Sequence, residues 1–210
     1  MGEAKINRLK FETQLWSQGY ERVLGLDEVG RGCLAGPVVA AGVILKPNSN
    51  IPGVRDSKAL SLKEREEFVD IIKREAAFWV VRQCSPEEID ELNILWASLK
   101  AMQKCVDYQD ANPDYLLVDG NRFNDSLIPY TCLTKGDDRS ESIGAASILA
   151  KVYRDNLMHE RHEEYPYYGW NTNVGYPTKK HYEGLMEFGY SPLHRKSFKL
   201  RTDKKLRTVN

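Results

Sequence analysis

Four acidic side chains stand where apolar runs of the sequence end, and they are the residues best suited to chemistry. Asp27 and Glu28 end one such run, Asp119 ends a second and Asp137 follows a third. A lone aspartate in this position is usually a turn residue, but adjacent carboxylates are costly to desolvate without solvent, a cationic side chain or a metal ion. Oxygen ligands without His or Cys suit Mg²⁺ or Mn²⁺. Two such ions about 4 Å apart catalyse phosphodiester hydrolysis by activating water and stabilising the leaving oxygen.

Other kinds of reactive site find little support in the sequence. The four cysteines are far apart, which argues against a zinc site and against disulfides, and predicts free, mostly buried thiols. His159 and His162 are the one close histidine pair, and on a charged helix this spacing is more typical of a solvated face than of metal ligands. The chain has no phosphate-binding glycine loop and no Gly-x-Ser-x-Gly motif.

Charge is balanced over the 210 residues, with 30 basic and 30 acidic side chains, but it is unevenly distributed. Residues 194–207 carry seven Lys or Arg and one acid, a pattern that can follow a phosphate backbone or can simply be a solvated tail. No apolar run approaches the roughly 20 residues of a membrane span, and the charged N-terminus has no signal-peptide pattern. These features predict a cytoplasmic protein without a membrane segment.

The elements that position the acids read as a mixed α/β arrangement. Ser61 and Ser85 each precede a glutamate by three residues, which is the capping-box signature of a helix start. An apolar stripe of helical period covers 95–106, and Thr178 can cap a last helix. The predicted strands are 23–26, 38–45, 78–81, 115–118 and 128–133; the predicted helices include 140–162 and 179–188, and 165–177 is predicted to be an irregular loop. Strands alternating with helices predict a central mixed sheet flanked by helices.

The turn after the first acids carries a family resemblance. Asp27-Glu28-Val29-Gly30-Arg31-Gly32, followed by Gly36-Pro37 and a second apolar run, is similar to the signature of type 2 ribonucleases H, and of bacterial ribonuclease HII in particular. Further matching motifs occur in order along nearly the whole chain. They are Asp56-Ser57-Lys58, Asn93-Ile94-Leu95, Val118-Asp119-Gly120, Lys135-Gly136-Asp137, the run from Ala145 to Asp155, Gly175-Tyr176-Pro177-Thr178 and His194-Arg195-Lys196-Ser197-Phe198.

The resemblance implies a role for each site residue. Asp27, Glu28, Asp119 and Asp137 would bind two divalent ions, either Mg²⁺ or Mn²⁺, with Asp138 and Asp155 left as alternatives to Asp137. Gly30-Arg31-Gly32 would recognise the ribonucleotide, because glycines let the backbone approach a sugar and its 2′-hydroxyl. Tyr176 would stack on the deoxyribose that follows the ribonucleotide. Lys58 would contact a phosphate.

The resemblance also implies the fold and the reaction. We expect one ribonuclease H-like α/β domain over residues 1–210, of which about 165–210 form a small helical, substrate-binding part. The expected reaction is cleavage of the RNA strand of RNA/DNA hybrids and cleavage 5′ of single ribonucleotides in duplex DNA, leaving 3′-hydroxyl and 5′-phosphate ends. We also expect a monomer without an obligate protein partner. The alternatives are a ribonuclease HIII-like enzyme and a non-catalytic nucleic-acid-binding module.

Overall fold

The computed structural model describes residues 7–51, 53–54 and 61–200. Five strands and eight α-helices are found in this part of the chain. In order they are α1 (Lys10–Ser17), β1 (Val23–Val29), β2 (Val38–Ile44), α2 (Leu62–Glu75), β3 (Phe78–Cys84), α3 (Pro86–Leu92), α4 (Ile94–Val106), β4 (Tyr115–Asp119), β5 (Tyr130–Leu133), α5 (Gly136–Arg139), α6 (Glu141–Glu164), α7 (Trp170–Asn173) and α8 (Lys179–Phe188), with a short 3₁₀ turn at Pro166–Tyr168.

The strands form one mixed sheet in the order β3-β2-β1-β4-β5. β1 pairs antiparallel with β2 and parallel with β4, and β4 pairs parallel with β5. Because β1, β4 and β5 run in the same direction, their carboxyl ends meet at one edge of the sheet. The predicted mixed sheet is therefore confirmed, and its topology gathers the strand ends that carry the acids.

Helices cover both faces of the sheet. On one face, Leu24, Leu26 and Val118 pack with residues of α4, including Met102. On the other face, Val39, Ala41 and Val43 of β2 pack with α2 and α6. Alternate residues of each strand thus enter different cores, as the pleat requires. Asp27, which is buried, and Asp119, which is partly buried, lie at the ends of strands that these two layers cover.

The long helix α6 lies unusually close to β1. A methyl group added at Gly25 would stand 2.4 Å from the backbone carbon of Ser142 and 2.6 Å from the amide nitrogen of Ile143. Ser140 caps this helix by accepting from the Ile143 amide. A glycine inside a strand often marks such close backbone contact, and here it lets α6 carry its side chains up to the acidic end of β1.

Several element boundaries differ from the sequence-based prediction. The capping boxes at Ser61 and Ser85 are confirmed, but α3 and α4 are separate helices because Asn93 adopts a left-handed φ of 66° and caps α4 with its side chain. The predicted strand 128–133 is shorter, at Tyr130–Leu133. Segment 165–177, predicted to be irregular, contains the 3₁₀ turn and α7.

No helix within the described ranges has both the length and the hydropathy needed to cross a membrane. The cysteines of this part of the chain are free thiols, and all but Cys132 are buried. The prediction of free, mostly buried thiols is thus confirmed.

Candidate active site

Asp27 and Asp119 are brought side by side by the parallel pairing of β1 and β4. The register pairs Leu26 with Val118, so each aspartate is the next residue on its own strand. Neighbouring strands lie about 4.8 Å apart. Two segments separated by some ninety residues of sequence therefore place their carboxylates together at one edge of the sheet.

The start of α5 places Asp137 beside Asp27 and Asp119. The Gly136 amide donates to Asp119 Oδ1 at 2.6 Å, and a methyl group on Gly136 would stand 2.7 Å from Ile143 Cδ1. Asp137 itself is buried, and its charge acts on Asp27. The structure thus brings Asp137 into the same cluster.

The two alternatives to Asp137 have different surroundings. Asp138 is exposed. Asp155 forms an ion pair with Lys151 at 2.8 Å, and it is buried. Neither residue is among the groups that perturb the pKa of Asp27 most strongly.

Glu28 faces Arg31 across the turn that follows β1. The Arg31 guanidinium donates to Glu28 Oε1 at 3.1 Å, while Arg31 remains half exposed. A small cavity of about 50 Å³ opens between Glu28 and Asp119, and Asn121 and Arg122 also line it. The apolar side chains of Leu95, Leu99 and Met102 from α4 complete its lining.

Burial and mutual repulsion disfavour the ionised form of these acids. The pKa of Asp27 is raised well above its ordinary value, first by burial and then by the charges of Glu28 and Asp119, against a hydrogen bond from Ser147. Burial also raises the pKa of Glu28, and the charge of Arg31 opposes that shift. A divalent cation would remove both penalties, because it supplies the opposite charge that the cluster lacks.

The donor set fits a hard divalent ion, although the side chains are engaged with local partners. Within residues 7–51, 53–54 and 61–200, no three or more His, Cys, Asp or Glu side chains are grouped so that they could hold a metal. Arg31 donates a hydrogen bond to Oε1 of Glu28, and the Gly136 amide donates one to Oδ1 of Asp119. Asp27 Oδ1 accepts from the Glu28 amide at 2.7 Å. Like-charged carboxylates that find local donors do not converge on one point.

The turn between β1 and β2 lies beside Tyr176. Gly30 is buried with a φ of 95°, whereas Gly32 is exposed. A methyl group on Gly32 would stand 3.7 Å from Tyr176 Cε1, and the side chains of Tyr176 and Cys33 share a hydrogen bond. The Leu34 amide donates to the Gly175 carbonyl at 2.8 Å. The predicted recognition turn and the predicted stacking residue therefore share one surface.

Comparisons with known proteins decide the family. Residues 24–201 match the sequence profile of the family described as Ribonuclease HII. The chain is 51% identical over 199 residues to ribonuclease HII of Salinibacter ruber, which covers 93% of this chain and 100% of that relative. It is 52% identical over 183 residues to ribonuclease HII of Bacteroides thetaiotaomicron, covering 87% and 92%. The crystal structure of ribonuclease H2 from Pyrococcus horikoshii is similar, with a TM-score of 0.74, 25% identity, and 89% and 97% of the two chains covered.

The chain belongs to the ribonuclease HII family. Ribonuclease HII is an endonuclease that acts on RNA/DNA substrates. The sheet described above has the ribonuclease H-like fold of these relatives. The ribonuclease HIII-like and non-catalytic alternatives are therefore not needed to explain the sequence.

Two of the expected nucleic-acid contacts of this ribonuclease HII could not be placed as predicted. Lys58 lies outside the described residues, and so does the tail beyond Leu200. The basic run that begins at His194 is not all surface, because His194 and Arg195 are buried. Both readings of the run, a stripe that follows phosphates and a solvated tail, imply exposed side chains, and these two residues fit neither.

Sequence reasoning missed several residues that support the ribonuclease HII site. Ser147, which lies within the Ala145–Asp155 motif but was assigned no role, hydrogen-bonds Asp27. His181 and His194 form a buried pair with Nε2 atoms 3.0 Å apart. Because Nδ1 of His181 donates to the Tyr176 carbonyl and Nδ1 of His194 accepts from the Ser191 amide, His194 Nε2 carries the proton between the rings. For the histidine pair, the only signal in the sequence was the family motif that begins at His194.

Proposed function

We propose that this ribonuclease HII cuts 5′ of single ribonucleotides embedded in duplex DNA, and also the RNA strand of hybrids, leaving 3′-hydroxyl and 5′-phosphate ends. Asp27, Glu28, Asp119 and Asp137 bind two divalent ions, either Mg²⁺ or Mn²⁺. The observation that carries the proposal is the adjacency of Asp27 and Asp119 on parallel strands, with Asp137 packed beside them.

The residues around the cluster fix the carboxylates before substrate arrives. Ser147 holds Asp27 from α6, and the Gly136 amide holds Asp119 from α5. Two divalent ions held by these acids would supply the charge that activates water and stabilises the leaving oxygen. Arg31 bonds Oε1 of Glu28, so Oε2 would be available to a metal ion. The fork of donors on the half-exposed Arg31 suits a phosphate.

Asp137 is the fourth carboxylate in this proposal. It is buried, its charge is felt by Asp27, and its backbone follows the glycine that binds Asp119. Asp138 is exposed and Asp155 is paired with Lys151, which supports assigning neither to the metals.

Recognition of the ribonucleotide uses the exposed part of the turn. Gly32 and the ring of Tyr176 form one surface, open enough for a sugar to lie against the backbone. Tyr176 is 39% exposed and stacks on the following deoxyribose. Lys58 contacts a phosphate of the same duplex.

The protein acts as a monomer in the cytoplasm, as a single domain whose C-terminal part contacts substrate. All four acids come from one chain, which supports a monomeric site. The C-terminal part shares an apolar core with the turn after β1: Leu34 and Ala35 pack with Trp170 and Leu185. This shared core supports a single domain.

Cleavage of a defined duplex tests the proposal. A labelled DNA duplex with one ribonucleotide is incubated with the protein and Mg²⁺ or Mn²⁺, beside an all-DNA duplex and an RNA/DNA hybrid of the same sequence. We expect one cut 5′ of the ribonucleotide and none in the all-DNA duplex. A polymerase should extend the upstream product and a ligase should join the downstream one. Cleavage confined to long RNA tracts, or binding without cleavage, would contradict the proposal.

Gly32→Ala should weaken ribonucleotide cleavage without unfolding the protein. The new methyl makes only ordinary contact with Tyr176, but it stands on the surface that the sugar must approach. We expect kcat/KM on the single-ribonucleotide duplex to fall about tenfold, equivalent to about 1.4 kcal/mol, with an unchanged melting temperature. Steady-state cleavage and thermal melting measure the two effects.

Gly30→Ala is the variant to compare with Gly32→Ala, because it should lose activity through lower stability and not through a blocked sugar site. Its methyl would stand 2.2 Å from Arg154 Nε at a φ of 95°, so the melting temperature should fall. Gly19→Ala shares the positive φ, at 93°, but meets no atom within 4 Å, so it isolates the backbone cost of roughly 1 kcal/mol. Equal activity losses for Gly32→Ala and Gly19→Ala would argue against a substrate-facing Gly32.

A further inference from the structure

The side chain of Arg195 is buried, and its guanidinium donates hydrogen bonds to backbone carbonyls of the turn after β1. Its Nη2 donates to the Gly30 carbonyl at 2.7 Å, its Nη1 to the Arg31 carbonyl at 3.0 Å and its Nε to the Gly36 carbonyl at 3.0 Å. The guanidinium lies 5.1 Å from the centre of the Phe198 ring. Burial lowers the pKa of Arg195 to about 10. A buried cation of this kind is costly unless its donors are satisfied, and here carbonyl oxygens satisfy them.

These bonds fix the direction of two peptide planes. In a trans peptide the N–H group points opposite to the C=O group, and no cis bond occurs among the described residues. With the Gly30 and Arg31 carbonyls aimed at the buried guanidinium, the amides of Arg31 and Gly32 point the other way. Arg31 and Gly32 are both exposed to solvent. Two successive outward amides form a concave donor site of the kind that binds oxygen atoms.

Arg154 of α6 offers a matched comparison, because it also donates to backbone carbonyls of the segment after β1. It is also fully buried, and it donates to the carbonyls of Pro37, Val174 and Ala35 at 2.8 to 3.1 Å. Its bonds thus lie outside Gly30-Arg31-Gly32. The two arginines have the same chemistry and burial, but only Arg195 orients the recognition peptides.

We propose that Arg195 is a positioning residue for ribonucleotide recognition: it turns the Arg31 and Gly32 amides toward the sugar hydroxyl while touching no substrate atom itself. This inference rests on the proposed role of the turn in reading the ribonucleotide. Lysine cannot replace it, because an ammonium lacks the planar fork that reaches three carbonyls at once.

The test measures selectivity rather than activity. In an Asp27→Asn background, which binds without cutting, the affinity for a duplex with one ribonucleotide is divided by the affinity for the matching all-DNA duplex. We expect Arg195→Lys to lower this ratio about tenfold and Arg154→Lys to leave it unchanged, although both lower the melting temperature. An unchanged ratio for Arg195→Lys, or an equal fall for both variants, would overturn the proposal.

A second measurement needs no change at Arg195. In the same background, hydrogen exchange at the Arg31 and Gly32 amides should slow when the ribonucleotide duplex binds and should not slow with the all-DNA duplex. Equal exchange with both duplexes would overturn the proposed presentation of these amides. If the wild-type protein cuts at the ribonucleotide while either test fails, the proposed function stands and only the role of Arg195 is lost.

Discussion

Replacing Asp27 by asparagine should abolish turnover and leave the protein folded. The substitution removes the most buried acid of the cluster, so the cluster loses charge with which to hold cations. We expect the cleavage rate to fall about a thousandfold or more, since cations of this kind contribute several kcal/mol to the transition state. Single-turnover cleavage of the ribonucleotide duplex measures the loss.

The melting temperature of Asp27→Asn separates this role from a structural one. Because the pKa of Asp27 is raised in the folded state, its ionised form opposes folding at neutral pH. A neutral amide of the same shape can still accept from Ser147 and from the Glu28 amide. The melting temperature should therefore stay constant or rise.

An exposed aspartate provides the control for Asp27. Asp70 lies on α2 and is exposed, and Asp70→Asn should change neither rate nor melting temperature. A parallel loss of activity and folded structure in Asp27→Asn would identify Asp27 as a structural aspartate and would contradict the metal assignment.

Gly25→Ala should have the largest effect on stability among the strand substitutions considered. Its methyl group would stand 2.4 to 2.6 Å from the Ser142 carbon, the Ser142 hydroxyl and the Ile143 amide, two of them backbone atoms. The backbone at the start of α6 cannot rotate out of the way as a side chain can. The added methyl group must therefore push α6 away from β1. Overpacking of this severity costs about 3 kcal/mol, so the melting temperature should fall by roughly 6 to 12 °C.

The shift of α6 should also lower activity, because Ser147 of this helix holds Asp27. Gly42→Ala is the matched control: Gly42 pairs with Leu26 on the adjacent strand, and its methyl would meet only side-chain ends, at 3.0 to 3.4 Å. Those ends can rotate, so we expect less than about 1.5 kcal/mol and normal cleavage. If both variants melt alike, close helix packing is not what requires Gly25.

The acids could be predicted from sequence because the signal is local. Asp27 and Asp119 each end an apolar run, and charges at the carboxyl ends of parallel strands meet wherever those strands are neighbours. That β1 and β4 are neighbours is a property of the topology, and the family resemblance supplied it. The buried state of Asp137 depends on α5, which was too short to be recognised from periodicity.

The supporting residues could not be predicted, because their partners are distant in sequence and are backbone atoms. Arg195 bonds Gly30 across 165 positions, and no spacing rule links a basic residue to a carbonyl so far away. A run of Lys and Arg predicts exposure, yet Arg195 is buried. Asn93 likewise divides α3 from α4 without any glycine or proline to mark the break.

The 24-residue helix α6 also sets a distance. Ser147 hydrogen-bonds Asp27, and Arg154 donates to the carbonyls of Ala35 and Pro37, which follow Gly30-Arg31-Gly32 in the chain. Seven residues separate Ser147 from Arg154, which is about 10.5 Å along the axis and nearly two full turns, so both side chains project from one side of a single rigid rod. The pitch of α6 therefore fixes the spacing between the contact that holds Asp27 and the contacts that hold the segment leading into β2.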